Sequence, residues 1–170
     1  MENTVVSLQA DQTISELIEI LSTLSPEQLN IKNAPDVWSP AQIGEHLLKS
    51  YGVADVLRGN TKPTERAFDE KIDQIKGIFL NFDTKLQSPE FIIPTLSFID
   101  KNYLLEGLKD KKDALIKNAN SLDLTLTCTD FVLPGLGELT RFEWISFVIF
   151  HTQRHLFQLK NTIKQLELQA

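Results

Sequence analysis

The chain has 170 residues, with 17 Lys plus Arg against 23 Asp plus Glu, a net charge of -6, 42% apolar residues, one Cys and three His. A chain of that length folds by default as one unit burying roughly 70% of its unfolded surface, and its composition is that of a globular protein, which excludes a disordered one. A single Cys128 excludes a disulfide-stapled scaffold and a multi-thiolate metal site, and an acidic balance without a Lys/Arg cluster argues against nucleic acid as a partner.

Ile14, Leu17, Ile18, Leu21 and Leu24 recur at spacings of three and four, which predicts an amphipathic helix over about 10–24. Thr13 and Glu16 are placed for a capping box near its start, and Ser25-Pro26 for its stop. Pro35-Asp36-Val37-Trp38 reads as a loop. Ser39-Pro40-Ala41-Gln42 then supplies an N-cap, a proline at the first helical position and a Gln three residues past the cap. The helix it opens is predicted over about 40–58, with Ile43, Leu47, Ala54 and Leu57 inward and Gly59-Asn60 at its end.

Residues 59–98 read as a helical connector with loops, because Phe68, Ile72, Ile75 and Phe79 keep a helical period and Ser88-Pro89 and Ile93-Pro94 force irregular backbone after it. A third long helix is predicted over about 97–118, with Leu104, Leu105, Leu108, Leu115 and Ile116 inward and Lys109, Lys111, Lys112 and Lys117 on a solvated face. Leu122, Leu124, Leu126 and Cys128 alternate with polar residues, the period of an extended segment, and without an obvious partner it reads as a strand-like crossover. Pro134-Gly135-Leu136-Gly137 is a turn, and Thr140 with Glu143 forms a capping box opening the longest helix, to about Leu168. The result is an all-α four-helix bundle with long connections, one domain over 1–170; the long connections argue against a simple up-down topology.

His151 and His155 are four apart on the last helix and share one face, so both imidazoles can meet one metal ion at about 2.0–2.1 Å, with His46 from a facing helix as a third ligand. The opposing reading is that they are partly exposed or satisfied core imidazoles. The apolar surroundings from Trp144 to Phe157 favour burial, where an unpaired ring nitrogen is costly. The residues by themselves leave both readings open. Gln158, one turn past Arg154, is positioned to hydrogen-bond a ligating imidazole, and Arg154 to tie helices together through a carboxylate. Trp38 and Trp144 read as core or capping aromatics, Glu45 points about 100° away from His46, and Cys128 reads as a small apolar residue.

The segment Trp38-Ser39-Pro40-Ala41-Gln42-Ile43-Gly44-Glu45-His46-Leu47 and the run from Gly137 through His151-Thr152-Gln153-Arg154-His155-Leu156-Phe157-Gln158 resemble the two signature regions of the DinB-like (YfiT-like) superfamily. That resemblance implies a four-helix bundle of unusual helix order. It also implies one divalent metal held near one end by His46, His151 and His155, and often a homodimer. One departure stands out: many such proteins carry a His before the proline of the loop entering the last helix, where this chain has Leu133-Pro134.

Some members of the superfamily transfer low-molecular-weight thiols, so the resemblance implies a metal-dependent thiol S-transferase. The alternatives are a metal-dependent hydrolase and a non-catalytic dimeric metal-binding protein. The expected metal is zinc or nickel, ahead of iron or manganese. Because free His titrates near pH 6.5, occupancy is expected to fall through about pH 6 to 5. The apolar run Ile145–Phe150 is far short of the roughly 20 residues that span a bilayer, and the first residues lack a signal-peptide pattern. A cytoplasmic protein without a membrane partner is therefore expected.

Overall fold

The structure is a computed structural model that describes residues 2–169. Helix α1 spans Glu2–Thr23 and begins about two turns before the predicted start, because Val6 and Ala10 extend the buried stripe upstream. Thr13 is therefore inside the helix and caps nothing; its hydroxyl donates to the Gln9 carbonyl at 2.7 Å. A short helix α2, Pro26–Asn30, follows with a Ser25/Gln28 capping box. It is the same Ser-Pro-x-Gln pattern that opens α3 (Pro40–Ser50) behind Ser39.

The helix predicted over 40–58 is broken at Tyr51-Gly52, and α4 (Val53–Arg58) continues it. Hydrogen bonds from Ala54 N–H to the Tyr51 carbonyl and from Asp55 N–H to the Gly52 carbonyl, both 3.0 Å, tighten the junction into a three-residue turn. Gly52, a poor helix former, sits at the break. Strand β1 is Thr61–Lys62, helix α5 is Ile72–Phe79, and a 3-10 turn covers Glu90–Ile92. Phe68 falls outside α5, and its carbonyl accepts the Thr140 hydroxyl at 2.6 Å. Helix α6, Lys101–Ser121, starts behind an Asp100 side-chain cap rather than at Ser97.

The extended segment has a partner after all: β2 (Thr127–Cys128) pairs antiparallel with β1, Thr61 opposite Cys128 and Lys62 opposite Thr127. The last helix, α7, spans Arg141–Gln169, and Thr140 and Glu143 cap each other reciprocally at 2.9 and 3.1 Å.

Among the described residues the fold is all-α apart from this two-stranded ribbon. Four long elements make the bundle: α1, the broken α3–α4 rod, α6 and α7. α1 lies against α6 and α7, and α3 lies against the same two. Of the consecutive pairs, α1 with α3 and α6 with α7 stand across diagonals, whereas the longest connection, from α4 to α6, joins helices that pack side by side. Gly44 lets three helices close: a Cβ there would lie 2.9 Å from Leu21 of α1 and 3.1 Å from Leu104 of α6. That close approach fixes the depth of α3 two residues before His46. From Glu143 to Ile149 every residue of α7 is buried, so the helix carrying His151 runs through the centre of the molecule. Among the described residues no helix is long and apolar enough to cross a membrane.

Candidate metal centre

The Ser39 cap places His46 roughly two turns into α3, and the Thr140 cap places His151 and His155 roughly three and four turns into α7. Packing of α3 on α7 then brings the three rings together. His46 Nε2 lies 3.2 Å from His151 Nε2, and His155 Nε2 lies 3.1 Å from the same atom. All three rings are buried, at 1, 6 and 8% exposure.

The other ring nitrogens decide what these contacts are. His46 Nδ1 faces the Ile92 carbonyl at 2.9 Å, and a carbonyl only accepts, so the proton sits on Nδ1 and Nε2 carries a lone pair. His155 Nδ1 faces Gln158 Oε1 at 2.7 Å with the same consequence. His151 can donate one Nε2 proton to one of those lone pairs, leaving the other opposed to nothing that donates; its own Nδ1 is buried without a partner. A divalent ion accepts all three lone pairs at once. Nitrogens bound tetrahedrally at about 2.0–2.1 Å would stand roughly 3.3 Å apart, close to the two spacings to His151, and all three donors lie within 4.8 Å of one another, so the donor set fits a metal ion. No Asp, Glu or Cys joins the three histidines as a fourth donor among the described residues.

Burial also keeps these rings neutral. Desolvation is the main cause that draws His46 below its ordinary value, His151 well below it, and His155 down to about 3. His46 and the Arg154 guanidinium push the same way on both α7 histidines, and His155 adds to the effect on His151. Neutral imidazole is the ligating form, so the fold holds the cluster ready to bind.

One side of the cluster is covered by Trp38, whose ring centroid is 4.9 Å from that of His46. The other side opens on a cavity of about 520 Å³, within the usual range for small-molecule sites. Phe79, Phe91, Phe131, Trp144 and Phe147 form much of its wall, and Leu133 lines it as well.

Arg154 also lines the cavity, and here the expectation of a carboxylate partner fails. Its guanidinium donates to the carbonyls of Phe79, Asn81 and Thr84. Phe79 is the last residue of α5, so the cation meets carbonyls left free at a helix C-terminus, where the dipole favours positive charge. Glu45 turns away from the cluster as expected and accepts from the Thr95 N–H and hydroxyl. Together with the Lys49 bond to the Ile93 carbonyl, it pins the strap of residues 92–95 that carries the His46 acceptor. Cys128 takes no part: it is buried and its thiol is pushed up to about 11 by desolvation.

The site also rests on a contact that spacing does not disclose. Tyr51 and Thr152, both fully buried, share a hydrogen bond of 2.7 Å between the α3–α4 break and α7, and Thr152 is adjacent to His151. Tyr51→Phe leaves the Thr152 hydroxyl without its partner and will lower unfolding free energy by about 1–2 kcal/mol in urea titration, while metal stoichiometry stays unchanged.

A family model described as the DinB superfamily matches residues 9–159. The chain is 28% identical over 154 residues to the uncharacterized protein YuaE of Bacillus subtilis (strain 168), covering 86% of this chain and 90% of that protein. No solved structure shows a significant match. The matched span includes both segments that bring the histidines together, and the chain belongs to the DinB superfamily.

Proposed function

We propose that the protein is a divalent-metal-dependent enzyme whose metal is held by His46, His151 and His155, and that it transfers a low-molecular-weight thiol to an electrophilic substrate. The observation that carries this reading is the convergence of three imidazole lone pairs beside a cavity with no fourth protein ligand. A structural site would be closed by that fourth group. When bound there, a divalent ion supplies a Lewis acid that lowers the pKa of a thiol or water toward neutrality. The residues around it do the rest. The Ile92 carbonyl and Gln158 hold two imidazoles in the ligating tautomer, and the aromatic walls give the substrate an apolar surface beside them.

Thiol transfer is favoured over hydrolysis by what lines the cavity. Hydrolysis of an ester or amide also needs an acid to protonate the leaving group, yet no Asp or Glu lines the cavity. A thiolate that displaces a halide needs no such acid. In the transfer its sulfur bonds to the electrophilic carbon, the leaving group departs with the bonding pair, and the thiol proton passes to solvent. We read the metal as zinc or nickel, imidazole suiting both. We place the enzyme, as a homodimer, in the cytoplasm, where thiols such as the free Cys128 stay reduced.

Elemental analysis of the purified protein will find about one divalent metal per chain, lost in His46→Ala, His151→Ala and His155→Ala. The loaded protein will conjugate a low-molecular-weight thiol to an alkyl halide or epoxide, and the metal-free variants will not. Absence of metal after incubation with zinc, nickel and manganese would overturn the centre. A loaded protein inactive with thiols but active on esters or amides would move the reading to hydrolysis.

A further inference from the structure

We infer that the cavity takes an apolar acid: a flat hydrophobic body between the aromatic walls, with one anionic group set against Arg154. The inference rests on the proposed function only for which reaction consumes the ligand, since binding itself needs no metal.

The first support is composition. Of 170 residues 23 are Asp or Glu, so a random set of 23 would contain about three, yet none of the 23 residues lining the cavity is acidic. The second is an unbalanced charge. Two cations line the cavity, and Lys49 is already matched by Glu45 at 3.6 Å. Arg154 has no carboxylate partner among the described residues; its hydrogen bonds run only to neutral carbonyls from Nη1 and Nη2. A guanidinium has five N–H donors in a planar fork suited to a carboxylate, and the apolar walls lower the local dielectric that would otherwise screen the attraction. The third is shape. Phe79 and Phe147 meet edge to face at 5.0 Å, and Phe131 and Trp144 meet at 5.9 Å, so the walls present aromatic faces and edges to a flat ligand.

The test compares three probes of one size on the metal-free protein: 2-naphthoate, its methyl ester and 2-naphthylmethylamine, followed by calorimetry at pH 7.5. The acid should bind at least about tenfold more tightly than the ester, and the amine least of all. Arg154→Gln should bring acid and ester to within about twofold, whereas Lys49→Gln should keep the preference. Equal binding of acid and ester, binding of none of the three, or a preference lost in Lys49→Gln would each overturn the assignment. Should Arg154→Gln fail to fold, the wild-type ratio and Lys49→Gln still decide it. An acid preference in a protein that takes up no metal would sink the enzymatic reading and leave this one standing. Metal uptake without the preference would do the reverse.

Discussion

Glu143→Ala will destabilise the fold by about 3–5 kcal/mol, read as a fall in the urea midpoint at constant slope. Glu143 is fully buried, yet its carboxylate has four donors. Arg66 bonds both oxygens through its two terminal nitrogens at 2.7 and 2.6 Å, and the backbone N–H groups of Lys71 and Thr140 add two bonds of 2.9 Å each. The Arg66 guanidinium, mostly buried, is held above its ordinary pKa chiefly by its hydrogen bond to this carboxylate. Truncation removes the partner of a cation and of two N–H groups at once, and it removes half of the capping box of α7. Glu143→Gln keeps one acceptor oxygen and the side-chain length, and will cost about 1–3 kcal/mol. A loss below 1 kcal/mol in Glu143→Ala would show that this contact is solvated and that the loop of residues 66–71 is held to α7 by other means.

The features legible in the sequence are those written within a few residues of one another. Ser39 and Thr140 announce the starts of α3 and α7 because a cap and its partner lie three residues apart, and those two starts set how far along each helix the histidines fall. The i, i+4 pair His151 and His155 is legible for the same reason. His46 is not: it meets His151 across 105 residues, and only the resemblance selects it over an ordinary core imidazole.

Other features are settled by contacts with no local trace. α1 starts early because Val6 and Ala10 are covered by the rest of the molecule. The two-residue strand β1 is too short to show a period. Arg154 illustrates how a sound rule yields a wrong partner. A cation on a helix does seek negative charge, but the nearest supply is the free carbonyls at the end of α5, a neighbour that only the tertiary structure discloses.

In the metal-free protein, stability will fall below pH 6.5 at a rate approaching about 3 kcal/mol per pH unit, the signature of about two protons taken up on unfolding. The sign follows from the depressed values of the buried cluster, with His155 at about 3 and His46 and His151 also lowered by desolvation. Above pH 6.5 the imidazoles are neutral in both states, and the cluster adds no pH dependence. Below it the unfolded chain binds protons that the folded chain refuses, so the stability present above 6.5 is lost progressively as pH falls toward the folded values. Each of the strongly shifted pair, His151 and His155, contributes up to about 1.4 kcal/mol per unit, and two units bring a loss of about 5 kcal/mol, comparable to the whole stability of a marginal small domain. The part of this window above about pH 5 lies above the range in which ordinary carboxylates protonate, so the two effects separate there. It also revises the occupancy expected from free histidine. Protons compete poorly for the folded site between pH 6 and 5, so metal should be lost there when the chain unfolds rather than by protonation in place. Urea titrations at pH 7.5, 6.0 and 5.0, with and without metal, read this directly. His151→Phe should flatten the metal-free slope by about one histidine's share, and saturating metal should raise stability at pH 7.5 by about 3 kcal/mol at a hundredfold excess over Kd. A metal-free protein equally stable at pH 7.5 and 5.0 would mean that the cluster is hydrated and titrates like exposed histidine, and the closed, desolvated centre would have to be abandoned.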